Sequence, residues 1–271
     1  MFLSCRFVMV EVFWLNIMLL AVATGEKLFS TRGLLALLLA ATLAPMWDYG
    51  FEVRHDNILL TGILVLWCCI RVGKPNRRFY FIAGAISSLL QFIAFKAFVF
   101  TIPICLLMVV FPRQPLKTSR VRLGLLWAVG AASALLVVRL IYGFSGVWDI
   151  YLNGFRWVAG VSASGSRFGA WFPLERLLDQ TPLLLALLAA SCFSCLYALR
   201  LCRRGVVFWD SLFPEVLLFS IGLSALLINP TPFPYNLVNF VPFAFLLAYK
   251  FGRNFWSDYG QERGAMSLLT G

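Results

Sequence analysis

The feature that most constrains this chain is an alternation. Apolar segments at residues 7–23, 33–47, 58–70, 79–111, 123–142, 181–201, 212–228 and 237–251 are separated by turns that are by turns basic and non-basic. Several segments are shorter than the roughly 20 residues that cross a bilayer along its normal, so their ends recruit flanking aromatics. In lipid the backbone has to satisfy its own hydrogen bonds, and an open chain does that only as helices. Hydrophobic residues make up 61% of the chain and charged residues 13%, against roughly 25% charged in soluble domains. The expected class is an all-α, polytopic membrane protein with about seven to nine membrane helices, a membrane domain over residues 1–251 and a cytoplasmic tail over 252–271.

The 23 Lys and Arg against 12 Asp and Glu do not form a phosphate-tracking face, so no nucleic-acid partner is expected. Sixteen of the 23 fall in five turns: Lys27 and Arg32; Arg71, Lys74, Arg77 and Arg78; Arg113, Lys117, Arg120 and Arg122; Arg200, Arg203 and Arg204; Lys250, Arg253 and Arg263. If those five face the cytoplasm, residues 48–57, 143–180 and 229–236 face outward. Residues 79–111 begin and end beside basic turns, which one crossing cannot do. The resolution is a helical hairpin bent near residues 91–96, which carries Lys96 to the depth of Arg54 and Asp56.

This arrangement starts the chain outside. A signal peptide is one alternative, with Arg6, an apolar stretch and Ala21-Val22-Ala23. Glu11 interrupts that stretch, however, and cleavage would leave the Lys27 and Arg32 turn on the wrong side. The expectation is a chain that starts within a longer gene.

Residues 48–57, Asp48-Tyr-Gly-Phe-Glu52-Val-Arg54-His55-Asp56-Asn57, hold three acids, an arginine and the single histidine. Ionisable groups at or within a membrane are costly and mark functional sites by default. Arg54 and Lys96 suit a phosphate, the first as a fork and the second as a point charge. Asp48, Glu52 or Asp56 would accept a proton from an attacking hydroxyl or amine, and His55 titrates near neutrality. The competing reading is a polar loop paired with itself and with headgroups. Lys96, among Phe92, Phe95, Phe98 and Phe100, also has a snorkelling alternative.

The segment 143–180, with Trp148, Tyr151, Phe155, Trp157 and six glycines, is expected in the headgroup layer with a short helix over 147–158, its aromatics lining an opening. Three prolines in residues 229–236 predict a rigid outer turn, with Tyr235 and Asn236 as donors on a cavity wall and a kink at Pro242. Glu11 and Arg139 also interrupt apolar sequence. The seven cysteines lie in or beside apolar stretches and read as packing residues, Cys192-Phe-Ser-Cys195 included. One histidine and no paired acidic motif imply neither a metal nor another cofactor.

Three places together resemble the C-type membrane glycosyltransferases that use polyprenyl-phosphate sugars, near the dolichyl-phosphate-mannose-protein mannosyltransferase-like and aminoarabinose-transferase-like groups. They are residues 52–57 opening a span, like the Arg-x-Asp element; residues 92–103 with Lys96, like the short Lys-bearing segment; and Pro234-Tyr235-Asn236 through Pro242, like the last core span. The resemblance implies transfer of a sugar from a polyprenyl-phosphate donor to an extracytoplasmic glycan or lipid acceptor, in a bacterial inner membrane. It carries over Arg54, Asp56 and Lys96. The family's first span and the acidic loop after it have no counterpart, which implies an incomplete copy of little or no activity. A transporter or channel subunit, using Glu11, Lys96 and Arg139, is the alternative.

Overall fold

The computed structural model describes residues 2–52, 54–71, 76–94, 96–112, 119–163, 175, 182–203, 209, 211–228 and 234–269, with side chains left undescribed at some of these. All regular structure among the described residues is helical. In chain order the helices are α1 (Phe2–Ala23), α2 (Thr31–Ala41), α3 (Ala44–Gly50), α4 (His55–Arg71), α5 (Arg77–Ile93), α6 (Ala97–Val110), α7 (Arg120–Phe144), α8 (Trp148–Ala163), α9 (Pro182–Arg203), α10 (Phe213–Ile228) and α11 (Val241–Leu269). A 3₁₀ turn at Pro234–Asn239 precedes α11.

Among the described residues, two helices are long and apolar enough to cross a membrane, Cys5–Ala23 and Arg120–Phe144. A third span results if α2 and α3, bent by 62° at their junction, are taken together. Much of α7 presents Val121, Leu125, Leu136, Val137 and Ile141 outward, which in water would be a large uncovered apolar face.

The helix starts follow from local chemistry. Ser30, Asn76 and Ser119 each cap a helix next to a basic turn, their side chains accepting from the N–H groups of Gly33, Phe79 and Arg122. Such caps satisfy donors that the first helical turn leaves open. The single apolar segment expected over 33–47 is in fact two helices. Pro45 lies in the first turn of α3, where its missing N–H costs nothing, and the chain turns at Thr42 and Leu43.

The hairpin is formed by α5 and α6. Tyr80 donates to the Met108 carbonyl at 3.3 Å, and Gln91 donates to the Thr101 hydroxyl at 3.0 Å. These two contacts make the arms antiparallel and leave Lys96 at the bend. Pro242 does not kink the last helix. It is the second residue of α11, a position that tolerates proline, and α11 runs without interruption past residue 251 to Leu269.

α4 occupies the centre. Leu59, Leu60, Ile63, Leu64 and Trp67 have no exposed surface, so the helix is apolar on several sides because neighbours cover it on several sides. α1 runs parallel to it: Asn16 donates to the Asn57 carbonyl near one end, and the Cys68 thiol donates to the Leu19 carbonyl further along. α5 and α7 also run parallel and touch through their backbones. A Cβ on Gly84 would lie 2.0 Å from the Trp127 carbonyl oxygen, and one on Gly130 would lie 2.0 Å from that of Phe81. Small residues at such crossings are how membrane helices approach closely.

Candidate functional site

The site begins with a helix end that needs partners. The Asn57 side-chain amide donates to the carbonyls of Tyr49, Gly50 and Glu52 at 3.0–3.1 Å, satisfying oxygens that α3 leaves open as it terminates. Thr61 joins this cluster by donating to Asn16 Oδ1 at 2.8 Å and to the Asn57 carbonyl at 2.9 Å. The elbow between α3 and α4 is thereby fixed, and it sets the direction in which Arg54 leaves the chain.

Asp56 is the hub. It is 1% exposed, in the first turn of α4, where the helix dipole favours a carboxylate. Arg54 Nε lies 3.6 Å from Oδ2, the Lys96 ammonium pairs with Oδ1, and the Asn239 amide donates to Oδ1 at 3.2 Å. Four parts of the chain therefore meet on one buried carboxylate: the loop before α4, α4 itself, the hairpin bend and the 3₁₀ turn before α11. Arg54 and Lys96 remain 31% and 28% exposed. Glu52 pairs with Arg54 at 3.3 Å from a more open position. His55 Nε2 stands 3.8 Å from Asp56 Oδ1, half exposed.

The residues singled out from the sequence thus separate into groups. Arg54, Asp56, Lys96, Glu52 and His55 come together. Asp48 does not: it is exposed on α3 and forms no ion pair among the described residues. Trp157 projects, exposed, from α8. α8 approaches the hairpin through Tyr151 instead, whose ring lies 5.3 Å from that of Phe92. The side chains of Tyr235 and Asn236 lie outside the described residues. The donor on that turn is Asn239, which the sequence reading passed over because it sits in an apolar run three residues further on. Glu11 is exposed, and Arg139 stacks on Trp148 at 4.5 Å. Among the described residues no group of three or more His, Cys, Asp or Glu is placed to hold a metal.

A second buried cluster occupies the other end of α4. Glu215 takes Arg71 at 3.0 Å on one oxygen and Lys250 at 2.9 Å on the other. Lys250 also donates to the Ser211 carbonyl, and Arg71 to that of Trp209. Arg253 bonds the Glu26 carboxylate at 3.1 Å. Basic residues that read as topology markers are here knotted into the packing of α1, α4, α10 and α11.

Removing the hub has a defined consequence. Asp56→Ala leaves two cations side by side and the Asn239 amide without its acceptor, which should lower stability by about 1–3 kcal/mol. The figure is held down because both cations keep access to solvent. A melting curve in detergent, with Asp56→Asn as the isosteric comparison, measures it.

No protein family profile, curated protein or solved structure matches this chain.

Proposed function

We propose that the chain is a polytopic membrane protein of about seven to nine helices that binds the phosphate of a polyprenyl-phosphate sugar at the Arg54–Lys96 mouth and transfers the sugar to an extracytoplasmic glycan or lipid acceptor. The observation that carries this reading is the convergence of two partly exposed cations from separate elements on one buried carboxylate. Buried Asp56 fixes their positions and contributes no accessible oxygen for catalysis. Half-exposed Glu52 holds Arg54 only through a surface pair, a weak interaction that a phosphate with a bidentate claim on the guanidinium can replace.

In this reading the acceptor hydroxyl attacks the anomeric carbon and the bond from that carbon to the phosphate oxygen breaks. The lipid phosphate leaves with the electron pair and gains a negative charge. Arg54 and Lys96 already sit where that charge develops, so they stabilise the transition state more than the ground state. Glu52, released from Arg54, takes the acceptor's proton.

The orientation belongs to the same proposal. Glu26 in the turn after α1, Arg71 at the end of α4, and Lys250 and Arg253 midway along α11 lie at the pole opposite Asp56, so the positive-inside rule sets the Asp56 pole outside, in a bacterial inner membrane. The resemblance of residues 52–57 and of the Lys96 segment to C-type glycosyltransferases supports the substrate class.

The test uses the full chain in proteoliposomes with a labelled polyprenyl-phosphate sugar. Arg54→Ala and Lys96→Ala should each cut transfer by about 10²–10³-fold and weaken binding of the polyprenyl phosphate itself, with melting temperature close to the parent's. Unchanged binding in both variants, or no binding by the parent, would sink the proposal.

A further inference from the structure

A separate groove runs along α2, between it and the α9 and α11 helices, with a volume of about 740 Å³. One face of α2 lines it with Arg32, Leu35 and Leu39, and one face of α11 lines it with Phe245, Ala248, Gly252 and Arg253. The spacings of three and four residues on both helices are what a single helix face requires. The Tyr249 hydroxyl donates to the Arg32 carbonyl at 3.0 Å, which holds the start of α2 against the middle of α11.

The charge in this groove is confined to one end. Arg32 and Arg253 mark it, and Leu35, Leu39, Leu43 and Phe245 continue away from it. Arg253 already has the Glu26 carboxylate, whereas Arg32 pairs with no carboxylate among the described residues. From Arg32 to Leu43 the chain rises roughly 16 Å at about 1.5 Å per residue. That is about half of a hydrocarbon core of roughly 30 Å, or one leaflet. Ala186, Ala248 and Gly252 are small members of its lining, and a Cβ added at Gly252 would meet nothing within 4 Å.

We infer that this groove seats one anionic glycerophospholipid of the leaflet that borders the Arg32 turn, with its phosphate at Arg32 and Arg253 and its acyl chains along α2. A cationic end, an apolar trough one leaflet long and a lining kept open by Ala248 and Gly252 match that amphiphile part for part. A soluble anion would use only the first of these features. A second copy of the chain would need a complementary ridge with a carboxylate at one end.

Native mass spectrometry of the full chain, released from detergent after incubation with equal amounts of phosphatidylglycerol and phosphatidylcholine, tests this. The parent should retain phosphatidylglycerol about tenfold over phosphatidylcholine, the effect of one charge-assisted contact. Arg32→Gln, at an exposed position, should bring the ratio close to one, and Gly252→Leu should reduce retention of both lipids. Glycerol 3-phosphate alone should leave no adduct. Equal retention of the two lipids by the parent would overturn the assignment, as would an unaltered ratio in Arg32→Gln. An adduct with glycerol 3-phosphate would mark a soluble-anion site, and a lipid-free dimer would mark a protein interface; either also overturns it. A melting curve for each variant separates loss of the lipid from loss of the fold, and Arg32→Gln keeps the test decisive if Gly252→Leu does not fold.

Discussion

Glu215→Ala should lower stability by about 3–5 kcal/mol, the penalty for leaving buried charge without its partner. Glu215 and Lys250 are each 2% exposed and Arg71 is 9% exposed, so water cannot take over as it can around Asp56. The variant should lose its monodisperse elution in mild detergent and melt well below the parent. Glu215→Leu combined with Lys250→Met should recover part of the loss, because apolar groups of similar volume remove one of the stranded charges and its desolvation with it. Equal melting of Glu215→Ala and the parent would show that the cluster is hydrated and does not hold the helices.

Gly130→Leu should separate α5 from α7. A Cβ there would lie 2.0 Å from the Phe81 carbonyl oxygen, and the atoms in the way are backbone that cannot rotate aside. Overpacking of this kind typically costs about 1–3 kcal/mol, and more when whole helices have to shift. The side chain's remaining atoms put this case at or above the top of that range. Gly84→Leu meets the Trp127 carbonyl in the same way and should behave alike. Gly124→Ala on the same α7 helix is the comparison, since its Cβ would rest 3.9 Å from Val109 in ordinary contact. Melting curves, with protease sensitivity after residue 144, distinguish the three.

Much of this arrangement could be read in advance where one residue had one physical option. Residues 79–111 begin and end beside basic turns, which forced a hairpin, and the bend lies at Lys96. Arg54 and Asp56 stand where an apolar helix starts, and buried charge there requires a partner. Legibility ended where the partner was remote in sequence. Asn239 bonds Asp56 across 183 positions, and nothing in a run of apolar residues marks it above Tyr235 or Asn236. Lys250 and Arg71 read as markers of cytoplasmic turns, and only the acid at Glu215, at the start of another helix, converts them into a buried set. The break at Thr42 was written in Pro45, but a proline in a first helical turn is quiet, and the same reasoning that excuses Pro45 also removes the kink expected at Pro242.

α4 has a polar knot at each extremity, Asp56 with its cations at one and Arg71 with Glu215 at the other. Asp56 and Arg71 are fifteen residue steps apart along the helix, roughly 22 Å at about 1.5 Å per residue. A hydrocarbon core is roughly 30 Å thick, and ion pairs of this kind do not stretch to meet it. In the proposed membrane setting, with α4 as a span, at least one knot therefore lies below headgroup level, enclosed by the neighbouring helices rather than by lipid. In that setting the helices packed around α4 stand between its charged ends and the hydrocarbon.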